Sequence, residues 1–460
     1  MKQLWPDARG TGTRVSSSRG VTGERTSCRT FDARICASRG FAAILIVFLA
    51  TRAPAQQSAS GVSADVGADA GRAPAAASAA PVTTDEDTRT QYPAFLSNSY
   101  FGLNVGAIRY LFSGQQLEPG YHAESLDIPH LAARVDLFGH HFSKYLSAQV
   151  IYMRPVRYVV YKQVNGARLR GEVSEAFGGL TLVSKLPVTE RLSVYGEGGW
   201  GITSRSGFTI NDIPALKDAH FAAGLLGAGL EYHATDSVDV ILGATYSPGR
   251  KAFDQPSTRL FTTGMRYVMR PLPAARVERN RRSGFLFPAN MIRLGYTSNI
   301  LAYGVNDFFS RTVPIFWGGH VETKRGVTLS YQRNVFHTGK RFAFDLGTSA
   351  SYWRSGAKRE GFCTLSAYPL FRFIAVRAQR ADIYVNYSLA GPTYLTRSVI
   401  DERDTGARFT FQDLMGVGAS FGRARRMNAE IGIKHYSNGN IFTRNAAIKV
   451  PLTLTLGLAF

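Results

Sequence analysis

The sequence predicts an all-β chain built from two antiparallel eight-stranded transmembrane β-barrels in tandem. Three observations carry that prediction. Long stretches alternate apolar and polar residues with a period of two, as a strand with one greasy and one polar face requires. The stretches fall into two sets of eight, each strand long enough to cross a bilayer at a tilt. In the first set, the connections alternate between long (111–129, 160–171, 204–218, 248–257) and short (139–144, 186–190, 233–235). A barrel with loops at one rim and tight turns at the other has that rhythm.

Residues 1–55 read as a secretory signal. An Arg-rich stretch precedes the ten-residue apolar core Phe41–Ala50, and Ala53-Pro54-Ala55 supplies the small residues of a cleavage site. The core is too short to span a bilayer. Cys28 and Cys36 would leave with this segment, and Cys363 would remain as an ordinary strand residue. Residues 56–95 are rich in Ala, Ser, Gly, Asp and Thr, the composition of a flexible, disordered tether.

Residues 96–270 are expected to form the first barrel. Its strands run near 101–107, 131–137, 146–152, 172–185, 191–203, 219–232, 236–247 and 258–269. In pattern, though not in any specific motif, this half resembles the OmpA-type outer-membrane barrel. A Pro-, Ala- and Arg-rich linker follows at 271–287, and the second barrel is assigned to 288–460. Its eight strands are expected near 313–321, 326–334, 341–353, 362–374, 381–391, 408–421, 427–437 and 447–460, and 288–310 hold either one further strand or an accessory element, with no assigned place. The last strand alternates Val450, Leu452, Leu454, Leu456 and Leu458 up to the terminal Phe460. Such an ending resembles the signal read by the outer-membrane assembly machinery, a predicted partner.

The formal net charge is +21. The first 52 residues hold nine basic against three acidic side chains, so +15 remains without them. That excess calls for acidic partners. No nucleic-acid module is recognisable, so the expected partner is a membrane surface bearing phosphorylated headgroups. An open diffusion pore is disfavoured, because an eight-stranded barrel fills its interior with side chains.

The stretch Met427–Ser437 carries the chemistry. Met427, Ala429, Ile431, Ile433, His435 and Ser437 share its apolar face, so a base and a nucleophile end a strand that otherwise looks lipid-facing. With the chain starting on the periplasmic side, the seventh strand ends at the extracellular rim, at outer-leaflet depth. Polar groups facing lipid are costly, which favours a functional reason for them.

The segment His435-Tyr436-Ser437-Asn438 through Asn445 resembles the C-terminal active-site motif of the lipid A 3-O-deacylase (PagL) family, and Phe411–Gly418 resembles the strand before it. The resemblance implies an eight-stranded outer-membrane barrel in a Gram-negative cell. It implies an esterase without metal or organic cofactor, acting on lipid A of the outer-leaflet lipopolysaccharide. It makes His435 the base, Ser437 the nucleophile, Asn445 an oxyanion donor and Asn438 a polar support. One position departs from the family. Its Glu, four residues after the Asn, is here Lys449, whose parity in the last strand directs it into the barrel. Asp413 is the candidate replacement: a turn centred near 424 sets it opposite His435 on the same face. The alternative function is a non-catalytic structural or lipopolysaccharide-binding two-barrel protein whose triad has degenerated.

Overall fold

The computed structural model describes residues 89–166, 169–312, 318–442 and 444–460. The signal segment and most of the tether lie outside the described residues. Two closed antiparallel eight-stranded barrels follow one another along the chain. Among the described residues, no helix is long and apolar enough to cross a membrane.

The first barrel comprises β1 (Ser99–Tyr110), β2 (Leu131–His141), β3 (Leu146–Pro155), β4 (Arg170–Pro187), β5 (Leu192–Ser206), β6 (Ala219–His233), β7 (Val238–Ser247) and β8 (Thr258–Val268). Consecutive strands pair, and β1 against β8 closes the ring. Outward positions such as Leu103, Leu180, Leu182 and Trp200 are exposed, as a lipid-facing band demands. At the rim with the long connections, the strands Ala123–Asp127 and Val159–Val164 extend the sheet along β4. Ion pairs fill the interior. Arg134 bonds Glu197 at 2.9 Å and Asp136 at 3.2 Å, and Arg266 bonds Glu231 at 2.7 Å and Asp136 at 3.1 Å.

The second barrel comprises β9 (Asn290–Ser298), β10 (Val321–His337), β11 (Phe342–Ser355), β12 (Gly361–Arg377), β13 (Ala381–Leu395), β14 (Phe409–Phe421), β15 (Met427–Ser437) and β16 (Ile448–Ala459). Asn290 and Phe460 exchange backbone hydrogen bonds of 3.1 and 2.9 Å where the ring closes. The structure corrects one strand assignment. The first strand is Asn290–Ser298, within the stretch that had no assigned place, and Val321–His337 is a single strand. Ile292, Leu294 and Tyr296 point outward there, alternating with Arg293, Gly295 and Thr297. Helix α2 (Gly304–Thr312) separates β9 from its partner, and residues 313–317 lie outside the described residues.

Helix α1 (Ala274–Arg281) occupies part of the expected linker. Residues 89–95, expected in the disordered tether, are packed instead. Tyr92 stacks on Phe336 at 4.2 Å, and the Arg89 guanidinium donates to Asn334 and to the Phe287 carbonyl. Tyr92 and Leu96 join Met269, Leu272, Phe336 and Phe344 in one apolar cluster that links the two barrels at the rim with the short turns. Burying this surface offsets the cost of ordering the segment, which composition alone does not reveal.

Inside the second barrel, Arg293 donates to Tyr384 at 2.6 Å, Glu430 at 2.7 Å and Asn428 at 2.8 Å. Glu430 therefore serves the lumen and is unavailable to His435. Arg293→Met would leave Glu430 buried without its cation, and a loss of about 3–5 kcal/mol is expected. Urea unfolding of the refolded barrel, followed by its gel mobility before and after heating, checks this. An unchanged midpoint would count against it.

Candidate active site at the junction of the barrels

The β14–β15 ladder runs without a break from Phe421↔Met427 to Phe411↔Ser437, so Asp413 stands directly opposite His435. Their side chains share the outer face, with His435 Nδ1 3.4 Å from Asp413 Oδ2. The other carboxylate oxygen, Oδ1, accepts the Ala390 N–H at 2.7 Å. Ala390 adopts a left-handed backbone (φ 55°) at an irregularity in the β13–β14 register, which turns that N–H toward Asp413. A backbone donor thus fixes the carboxylate. His435 is 1% exposed, and Gly318, in the connection between β9 and β10, lies against it. Its Nε2 lies 2.8 Å from the Gly318 carbonyl oxygen. Both ring nitrogens therefore face oxygen acceptors.

Ser437 ends β15 two residues on. Its Oγ accepts from Asn445 Nδ2 at 3.0 Å and from the Gly439 N–H at 3.1 Å. The Asn438 N–H donates to Asn445 Oδ1 at 3.2 Å, which sets the amide so that its NH₂ faces the serine. A positive φ at Gly439 (65°) and Asn440 (59°) bends the chain tightly enough to bring the Gly439 N–H back to Ser437. Asn438, fully buried, spans the loop by donating to the carbonyls of Thr405 at 2.8 Å and Arg444 at 2.7 Å.

The structure thus brings Asp413 to His435, and Asn445 with Gly439 to Ser437. The hydrogen bonds of Ser437 go to Asn445 and Gly439 rather than to His435. Asn438 braces the loop and does not face the serine oxygen.

Lys449 differs from the expectation. Gly432 pairs with Thr453, but Lys434 pairs with Val450, so three residues of β16 oppose two of β15. This bulge reverses the parity of β16 beyond it. Ile448 and Val450 turn inward beside Trp353 and Tyr436, and Lys449 turns outward, opposite His435. Pro451, which has no N–H to give a ladder, is the sequence signal for it.

Sequence reasoning also missed the partners of Lys449. Because β9 stops at Ser298, the ends of β10 and β16 meet directly at the rim and pair in parallel, with Glu322 beside Lys449. Lys449 Nζ lies 3.1 Å from Asp307 of α2 and 3.2 Å from Glu322. Asp413, His435, Lys449 and Glu322 form a continuous line across four strands. A pairing between strands so far apart in the chain leaves no periodic trace.

Fold and site together define a double-barrel membrane protein with a Ser, His and carboxylate constellation on the outer face of its second barrel. The family model for lipid A 3-O-deacylase (PagL) matches residues 325–450, so the resemblance in the C-terminal half extends from β10 to β16. Among solved structures, the outer membrane enzyme PagL is 16% identical, with 37% of this chain and 100% of that chain covered, at a TM-score of 0.27. Neisserial surface protein A is 15% identical over 37% of this chain and 97% of its own (TM-score 0.26). The N-terminal β-barrel domain of Pseudomonas aeruginosa OprF is 13% identical over 37% and 98% (TM-score 0.23). No curated protein matches the chain.

Proposed function

We propose that the second barrel is an outer-membrane carboxylic-ester hydrolase of Gram-negative cells that removes the 3-O-linked acyl chain of lipid A. The observation that carries this reading is the Asp413–His435 pair set beside Ser437 on an outward face, within the stretch matched by the deacylase family. His435 Nε2 exchanges the Gly318 carbonyl for Ser437 Oγ and takes its proton. Catalytic hydrogen bonds often form only when substrate is bound. The alkoxide attacks the acyl carbonyl, and the carbonyl π-bond opens to an oxyanion held by Asn445 Nδ2 and the Gly439 N–H. The bond between the acyl carbon and the sugar oxygen breaks as the oxyanion collapses, His435 gives its proton to the departing sugar oxygen, and water hydrolyses the acyl-serine by the same relay.

Asp413 supplies the negative charge that the imidazolium needs. Lys449 opposes it, but Asp307 and Glu322 more than balance that cation. With three carboxylates and one ammonium, the line around His435 carries a formal charge of −2. The positive excess of the chain suits the phosphates of the substrate's headgroup.

The test is lipid A mass spectrometry from a Gram-negative host with fully acylated lipid A, expressing wild type or Ser437→Ala. Loss of one hydroxyacyl chain in the wild type alone is expected. Identical spectra from well-inserted proteins would overturn the reading and leave the non-catalytic, lipopolysaccharide-binding role, which the replacement of the family Glu by Lys449 favours.

A further inference from the structure

The loop that follows Ser437 does not stand free. It lands on the first barrel, where two outward-facing hydroxyls receive it. The Tyr152 hydroxyl of β3 donates to the Gly439 carbonyl, and the Ser204 hydroxyl of β5 donates to the Ile441 carbonyl. Ser204 is itself tied to His220 Nδ1 at 2.7 Å, and the Phe442 ring lies 6.0 Å from the His220 ring. Below Ile441 the first barrel has Gly178, where even a Cβ would come within 3.4 Å of the Ile441 side chain. Arg444 and Asp218, at 3.8 Å and well exposed, add little.

Tyr152 shares the outward parity of the exposed Val150, while Gln149 and Ile151 point inward. Hydroxyls on that face cost free energy unless they find partners. Each finds a carbonyl of the loop that supplies the donors to Ser437. Gly439 is the central case: its N–H contacts the serine oxygen and its C=O is held by Tyr152, so the first barrel fixes the residue from behind.

We infer that the first barrel is a positioning element of the second barrel's site, acting through Tyr152 and Ser204 on the loop 438–446. The inference builds on the reading of Ser437 as nucleophile. Donors must be held in place before charge develops, and displacements of about 1 Å in such groups can cost roughly 10²-fold in rate. The two hydroxyls are therefore part of the machinery without touching substrate, and the chain has reason to carry two barrels.

The experiment uses the full-length protein in detergent micelles, as wild type, Tyr152→Phe, Ser204→Ala and the double variant. Each variant removes one oxygen and leaves the strand pattern intact, and gel mobility before and after heating confirms folded barrels. Two readouts are taken. Hydrogen exchange of the amides at 438–446 is expected to speed up in each variant and most in the double. Hydrolysis of lipid A in mixed micelles is expected to lose about 10- to 100-fold in kcat in the double variant, with KM within about twofold of wild type. Unchanged exchange in the folded double variant overturns the inference, whether or not the wild type is active. A wild-type kcat in that variant overturns it as well. A wild type with no Ser437-dependent hydrolysis overturns the deacylase reading alone, and the exchange rates then decide whether the first barrel holds the loop.

Discussion

Ser437→Ala and His435→Gln are each expected to lower the rate of acyl release by about 10⁴- to 10⁶-fold, and the double variant by no more than either alone. The reason lies in the division of labour. Without its serine, the imidazole has no proton to take. Without the imidazole, Ser437 Oγ remains a neutral hydroxyl that accepts, among the described residues, from the neutral donors Asn445 Nδ2 and the Gly439 N–H. Those donors persist in both variants and set a common residual rate. Fatty-acid release from lipid A in mixed micelles, quantified by mass spectrometry, measures all three proteins. Effects that multiply in the double variant would show that the two side chains do not act as one unit, and the mechanism would have to be abandoned.

Periodicity made the barrels legible because every membrane strand must present an apolar face outward and a satisfied face inward. The register of β14 on β15 was also accessible, since a short turn leaves little freedom in what lies opposite what. Three features escaped. β9 is short and its inward face carries Arg293, so its alternation leaves 288–310 open between one strand and an accessory element. Parity counted along an unbroken ladder points Lys449 inward, and the bulge marked by Pro451 breaks that ladder. The third is the contact of Tyr152 and Ser204 with the loop. It joins residues 287 and 237 positions apart, and neither hydroxyl stands out in its own strand. Local pattern reports what each strand needs, whereas these contacts arise from how closed barrels meet.

Asp413→Asn is expected to lower the rate by about 10²- to 10⁴-fold while leaving the barrel folded, because an amide can occupy the site but cannot stabilise the imidazolium. Asn also still accepts the Ala390 N–H, which keeps the structural role of the side chain separate from its charge. The line of charges offers a sharper test than the single variant. His435 has Asp413 on one flank and Lys449 on the other. A carboxylate at 449 would face the imidazole from the opposite strand, where the family places its own Glu. Lys449→Glu alone would crowd three acids together at the rim, since Asp307 and Glu322 already lie near 3 Å from the Lys449 ammonium. Adding Glu322→Lys restores the pair with its polarity reversed. The triple variant Asp413→Asn/Lys449→Glu/Glu322→Lys should therefore recover most of the rate that Asp413→Asn loses, measured as kcat/KM on lipid A in mixed micelles. Recovery would mean that the imidazole needs a carboxylate on its outward-facing flank and tolerates either neighbour as its source. A wild-type rate in Asp413→Asn would instead remove Asp413 from the mechanism, and the catalytic charge would have to come from Glu322 or Asp307 across the Lys449 ammonium.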